Sequence, residues 1–323
     1  MNRRDFLRAS AGALALSACR TTGDGEAEPI LDIHQHLNYG GTRDKDWNVT
    51  APGRSDEALL AHQRAMGATR TILLPAGRPL RQGSTLQGKA NGLDTTCTGN
   101  EAAYRLAREH PDLFSFGANE VPDLPDTIET VEKYLKLGAV VIGEQKFGVE
   151  CDAPEMRRLY SLAGAYRVPI LMHWQFKSYN HGFERFHRML EKYPHVAFIG
   201  HAQTWWANID RGHQDQTVLY PKTPVTPGGL TDRYLSDYPN MYADLSAGSG
   251  RNALSRDEEH ARDFLRRHQD KLMFGSDCPD TTAAPPECIG ASTIALIRKL
   301  SPSKEIERRL LYGNASRLFR LAR

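Results

Sequence analysis

Cysteine is scarce in this chain: there are five in 323 residues, and no two stand in a CxxC pair. They are too few and too dispersed to be the disulfide scaffold of a small secreted domain. In an oxidising compartment one bridge among Cys97, Cys151, Cys278 and Cys288 is allowed, but no spacing pairs them, and buried free thiols fit equally well. Charge of one sign is lacking too. The 41 Lys and Arg nearly balance the 39 Asp and Glu, for a net charge of +2, and the basic residues are scattered, so there is no electrostatic footprint for a nucleic acid. Nor is there a run of the roughly 18 or more apolar residues that a membrane-spanning helix needs. Internal repeats and low-complexity tracts are absent. What remains is an ordinary globular composition, 40% hydrophobic, long enough for one large α/β domain or two small ones.

The first 19 residues read separately from the rest. Arg3 and Arg4 precede Phe6 and Leu7, and the short run "AGALALSA" leads to Cys19. A charged start followed by an apolar stretch too short to span resembles a twin-arginine export signal. "LSAC" at 16–19 is similar to a bacterial lipobox, in which Cys19 becomes the lipidated first residue and a lipid anchor. This implies a periplasmic or cell-envelope location. Residues 20–29, "RTTGDGEAEP", read as a flexible tether, which leaves 30–323 for one folded domain.

Beyond the tether, short apolar β-type runs alternate with longer amphipathic stretches. The pattern predicts eight strands, at about 30–34, 70–75, 114–118, 139–146, 168–173, 196–201, 241–245 and 271–277. Helical stretches such as "SDEALLAHQRAMG" and "DAPEMRRLYSLAGAYR" lie between them, several opened by Ser, Asp or Asn and closed by Gly or Pro. Eight such units over roughly 250 residues match an α/β fold, the (β/α)8 TIM barrel. A doubly wound open sheet is the alternative, but it calls for a Gly-rich phosphate turn after the first strand, where "HQHLNYGG" supplies histidines. Long loops at 38–54 and 202–230 are expected to build a substrate pocket, and the C-terminal "SPSKEIERRLLYGNASRLFRLAR" reads as two short helices separated by Gly313.

Polar residues cluster at the strand ends. His34 and His36, in "LDIHQH", are two apart and share a face of a strand. His173 ends the fifth strand, His201 the sixth and Asp277 the eighth, while Glu144 and Lys146 share a face of the fourth. In a parallel barrel all those ends open onto one face, so residues more than 240 positions apart converge. Imidazole nitrogens and carboxylate oxygens are ligands for Zn²⁺, with Mn²⁺ or Fe²⁺ as alternatives. Trp174, Trp205 and Trp206 adjoin these positions as candidate walls for a ring-shaped substrate; Arg78 and Arg251 follow the second and seventh strands as candidate partners for an anionic group. Cys278, next to Asp277, has no Cys-His motif and reads as a neighbour rather than a nucleophile.

These motifs, from "DIHQH" through "MHWQ", "FIGHAQ" and "MFGSDCP" to "GNASRLF", resemble those of the amidohydrolase superfamily, in its amidohydrolase-related branch. The resemblance implies a metal-dependent enzyme. His34, His36, His173 and Asp277 would be ligands, and Asp277 would also shuttle a proton. His201 would be a ligand to a second metal or an acid/base group, and Glu144 a bridge, which leaves one metal or two open. The resemblance implies hydrolysis of an ester, lactone or amide by metal-activated water, or non-oxidative decarboxylation at the same site. A binding lipoprotein that keeps the barrel without turnover is a third reading. The expected partner is a small-molecule substrate, and a homo-oligomer is compatible with the sequence.

Overall fold

A computed structural model of the protein describes residues 28–46, 48–78 and 96–321. The export signal with Cys19, and most of the tether, lie outside these residues. Glu28, near the tether's end, already accepts a 2.7 Å hydrogen bond from Arg308 Nε.

Eight parallel strands carry the fold: β1 (Leu31–Gln35), β2 (Arg70–Leu73), β3 (Phe114–Phe116), β4 (Ile142–Gln145), β5 (Ile170–His173), β6 (Phe198–His201), β7 (Met241–Asp244) and β8 (Leu272–Met273). They pair in two runs, β1-β2-β3 and β4 to β8 in sequence order. The runs join through a parallel bridge between Ala118 and Ile142 and through Ile33 N donating to Phe274 O at 3.2 Å. The expected barrel is the observed one. Its strands are shorter than the apolar runs suggest, most of all β4 and β8, because the flanking residues continue into loops.

Both faces of these strands are buried, hence their nearly continuous apolar sequences. Leu31, Ile33, Ile72, Val141, Leu171, Ile199 and Met273 fill the barrel interior together with Ala315 and Phe319 from the C-terminal segment. The outward faces, such as Phe114, Met172, Phe198 and Phe274, pack in a larger core with the helices. Helix starts follow local chemistry: Ser55 caps Asp56–Met66 by accepting from Ala58 N, and Asp257 caps Glu258–Arg267 by accepting from His260 N.

Three loop expectations change. The stretch after β6 opens with a helix, Gln203–Ala207, and the stretch after β1 holds an exposed two-stranded hairpin, Thr42–Arg43 with Val49–Ala51. Gly313 does not separate two helices. Helical backbone runs from Lys304 to Leu318, with a π-helical stretch at Arg309–Gly313 in which Gly313 has φ −61°. Packing against β8 overrides the helix-ending tendency of glycine: Leu310 O accepts from Phe274 N at 2.9 Å, and Asn314 Nδ2 donates to Leu272 O at 2.8 Å.

Candidate metal centre

The histidine-bearing end of β1 is built by a register slip. Asp32 pairs with Thr71 and Gln35 with Leu73, so three steps on β1 match two on β2. This extra residue lets Ile33 fill the barrel interior while His34, its neighbour, also faces inward with His36. The same slip recurs on β4, where Ile142 pairs with Ile170 and Gln145 with Met172, and it turns Glu144 inward. Gly143 precedes Glu144 with φ +144°, and a Cβ there would lie 3.0 Å from Leu171 O, so only glycine suits the position.

The ring nitrogens of the first pair have separate duties. His34 Nδ1 donates to Asp244 Oδ2 at 2.6 Å and His36 Nδ1 to the Leu74 carbonyl at 2.8 Å. Both Nε2 atoms are thereby turned to one point, 3.1 Å apart. Glu144 Oε2 stands 3.5 and 3.3 Å from them, and Asp277 Oδ1 3.7 and 3.6 Å. The other oxygens of the two carboxylates serve a second group. Glu144 Oε1 is 2.5 Å from His173 Nδ1 and 3.6 Å from His201 Nε2, which is 3.4 Å from Asp277 Oδ2.

These donors fit a divalent metal. Glu144 Oε2, His201 Nε2 and Asp277 Oδ1 are buried and have no hydrogen-bond partner, and His34 Nε2 and His36 Nε2 face one another with no other hydrogen-bond partner. A tetrahedral ion with ligand bonds of about 2.1 Å has ligand–ligand edges of about 3.4 Å, close to the separations seen. Burial opposes charge on His34, but the surrounding carboxylates of Asp277, Asp244 and Glu144 outweigh it and hold its proton well above the usual pH range. A field that retains a proton there also retains a cation. Burial and the Lys146 ammonium push His173 down to about 4, which keeps its imidazole neutral, the ligating form.

The structure thus brings together all six sequence-predicted ligands: His34, His36, Glu144, His173, His201 and Asp277. Lys146 is beside them, its ammonium 5.8 Å from the Tyr179 ring centroid, with no hydrogen bond or ion pair to a described residue. The tryptophans and the two arginines take other places. Trp174 and Trp205 are fully buried and Trp206 nearly so, packed in the outer core against Phe183, Phe186 and Phe264 rather than walling a substrate. Gly200 explains Trp205, because a Cβ there would lie 2.4 Å from the indole that covers it. Arg78 is committed to Glu120 at 3.0 Å and Asp126 at 2.8 Å, the ordinary salt bridge. Arg251 is half-buried on the helix Ala247–Ser255, with no hydrogen bond or ion pair to a described residue.

Sequence reasoning missed Asp244, Ser246 and Tyr39. Asp244 ends β7, so the strand-end rule that found His173 and His201 reaches it as well. Ser246 Oγ links Asp244 Oδ2 at 2.8 Å to His201 Nδ1 at 3.0 Å. Tyr39 lies near Asp277, and that carboxylate together with burial raises the phenol pKa far above its ordinary value.

Comparison with known proteins follows this geometry. A family model described as amidohydrolase matches residues 231–321, which hold Asp244 and Asp277. No curated protein matches the chain. Among solved structures, an uncharacterised TIM-barrel protein from Bordetella bronchiseptica is 16% identical, covering 90% of this chain and 98% of that one with a TM-score of 0.60. A probable 2-pyrone-4,6-dicarboxylic acid hydrolase from Acinetobacter baumannii is 15% identical, covering 90% and 99%, with a TM-score of 0.55. A 5-carboxyvanillate decarboxylase from Sphingomonas paucimobilis is 14% identical, covering 92% and 100%, with a TM-score of 0.53. This chain therefore has the (β/α)8 barrel fold of these proteins, and its C-terminal third matches the amidohydrolase model.

Proposed function

We propose that this chain is an amidohydrolase-related, metal-dependent hydrolase that cleaves an ester, lactone or amide bond of a small anionic substrate. One observation carries the reading: six buried side chains of ligand type converge at the C-terminal mouth of the barrel, and Glu144 Oε2, His201 Nε2 and Asp277 Oδ1 among them have no hydrogen-bond partner. The two carboxylates each divide their oxygens between the His34/His36 pair and the second group, with both His173 and His201 beside Glu144 and His201 beside Asp277. His34, His36 and Asp277 would hold one ion and His173 and His201 a second, with one Glu144 oxygen available to each. Zn²⁺ suits such donors, with Mn²⁺ or Fe²⁺ as alternatives. Bound metal supplies Lewis acidity and makes water nucleophilic near neutral pH.

The protein's own groups do the rest. Asp277 offers a carboxylate to take a proton from the attacking water and pass it to the leaving group. His201, braced by Ser246, polarises the scissile carbonyl wherever its Nε2 is not a ligand. Lys146, half-buried beside Glu144 and Asp277 without a close ion pair to a described carboxylate, receives the anionic group of the substrate, and Arg251 is a second cation available to it. An unpaired ammonium beside the metal ligands also favours a second reading, decarboxylation of an aromatic or unsaturated acid whose carboxylate it would hold. The Arg3–Arg4 pair and Cys19 support export to the cell envelope and a lipid anchor.

The test is metal content by elemental mass spectrometry, alongside two substrate panels. About two ions per chain in the wild type, reduced in Glu144→Ala, together with turnover of lactones, esters or amides, is the expected result. About one ion, unchanged in Glu144→Ala, with CO₂ released from aromatic acids, would transfer the site to the decarboxylase reading. No metal after reconstitution would overturn both.

A further inference from the structure

A second cluster of ligand-type side chains lies outside this site. His62, on the helix Asp56–Met66, meets Cys278, just past β8, and Cys288, which caps the helix Ile289–Leu300. One donor atom from each of the three lies within 4.8 Å of the other two. All three side chains are closed from solvent, at 1%, 0% and 0% exposure. Both cysteines are unbridged. A helix early in the chain and two neighbouring positions near its end are thus drawn to one dry point.

Three features set this cluster apart from ordinary buried thiols. Each sulfur receives an N–H: Ala291 N donates to Cys288 Sγ at 3.3 Å and Gln35 Nε2 to Cys278 Sγ at 3.6 Å. N–H donors of this kind are the outer partners that a metal-ligating sulfur accepts, and they leave the side of each sulfur that faces the cluster open. His62 Nε2 is 3.3 Å from Cys288 Sγ, while its Nδ1 is buried with no hydrogen-bond partner among the described residues. Finally, no further thiol, imidazole or carboxylate joins the group among the described residues.

We propose that His62, Cys278 and Cys288 form a structural metal site for a thiophilic d¹⁰ ion, Cu⁺ or Zn²⁺, that staples the first barrel helix to the segment carrying Asp277. Two sulfurs and one nitrogen are a soft donor set. Closure from solvent favours Cu⁺, because Zn²⁺ with three protein ligands calls for a fourth. Binding forms two metal–sulfur bonds and one metal–nitrogen bond and releases the two thiol protons to solvent, with no change of oxidation state. The site stands independently of the hydrolase reading.

The experiment uses the full folded chain, reduced and anaerobic, offered Cu⁺ or Zn²⁺ in separate arms against a competing chelator. Metal-edge X-ray absorption then reads the atoms around the ion. The expected result is one ion per chain beyond those at the histidine–carboxylate centre, with two sulfurs and a nitrogen as its neighbours, kept in His36→Ala and weakened at least tenfold in Cys288→Ser. The arm that gives the sulfur-rich spectrum identifies the ion. Only nitrogen and oxygen neighbours in both arms would overturn the proposal, as would a Cys278–Cys288 disulfide in protein isolated without reductant. The wild-type spectrum decides even if Cys288→Ser does not fold.

Discussion

Asp244 Oδ2 lies 2.6 Å from His34 Nδ1, on the ring nitrogen that faces away from His36. A carboxylate placed there fixes the tautomer, aims Nε2 into the centre and makes it more basic. Asp244→Ala should therefore weaken metal binding about 10- to 100-fold while leaving all six ligands in place. Chelator competition measures this, and an unchanged dissociation constant would count against the geometry described.

Lys146 is the charged group at the centre that no described carboxylate pairs with. Lys146→Met should raise KM for an acid substrate about tenfold or more, in keeping with a charged hydrogen bond of about 1.5–3 kcal/mol, with a smaller change in kcat. Steady-state kinetics on an acid and on its neutral ester separate the roles. Equal losses on both would mean that Lys146 does not recognise charge.

Gly143 has φ +144°, with the Leu171 carbonyl 3.0 Å from where a Cβ would stand. Gly143→Ala should cost on the order of 1–3 kcal/mol of stability, because the strain has no outlet between two paired strands. Since Glu144 follows directly, metal content should fall along with stability. Urea denaturation and elemental analysis of the same samples check both.

Asp232 links the helix Leu230–Asp237 to His268 at 2.6 Å and to Arg267. Burial opposes its charge, but the bonds from His268 and Arg267 outweigh this and hold its carboxyl well below the usual carboxylate range. A depressed folded-state pKa stabilises above the unfolded value, about 3.9 for Asp, and the benefit is lost as pH falls toward the folded value. Asp232→Asn should lower Tm by a steady amount from pH 8 to 5, and the deficit should shrink below about pH 4. A Tm difference that does not vary with pH would show that the carboxylate charge is not what stabilises.

The strand rhythm and the strand-end positions of His34, His36, Glu144, His173, His201 and Asp277 were legible in the sequence for one physical reason. Alternation and the parallel barrel are both local rules, and together they send strand C-termini to a single face. Asp244 obeys the same rule and was within reach of it. The slips on β1 and β4 were not, because a bulge shows only in how one strand pairs with its neighbour. The tryptophans and Arg78 went astray for a related reason. Proximity to a ligand in sequence does not say which side of the sheet a side chain takes, nor whether a carboxylate such as Glu120 waits for a guanidinium. The sequence by itself determined the barrel and the ring of candidate ligands at its strand ends. Tertiary packing alone decided how Glu144 and Asp277 divide their oxygens between two groups, and that His62, Cys278 and Cys288 meet, since both depend on distances between chain segments that no local pattern encodes.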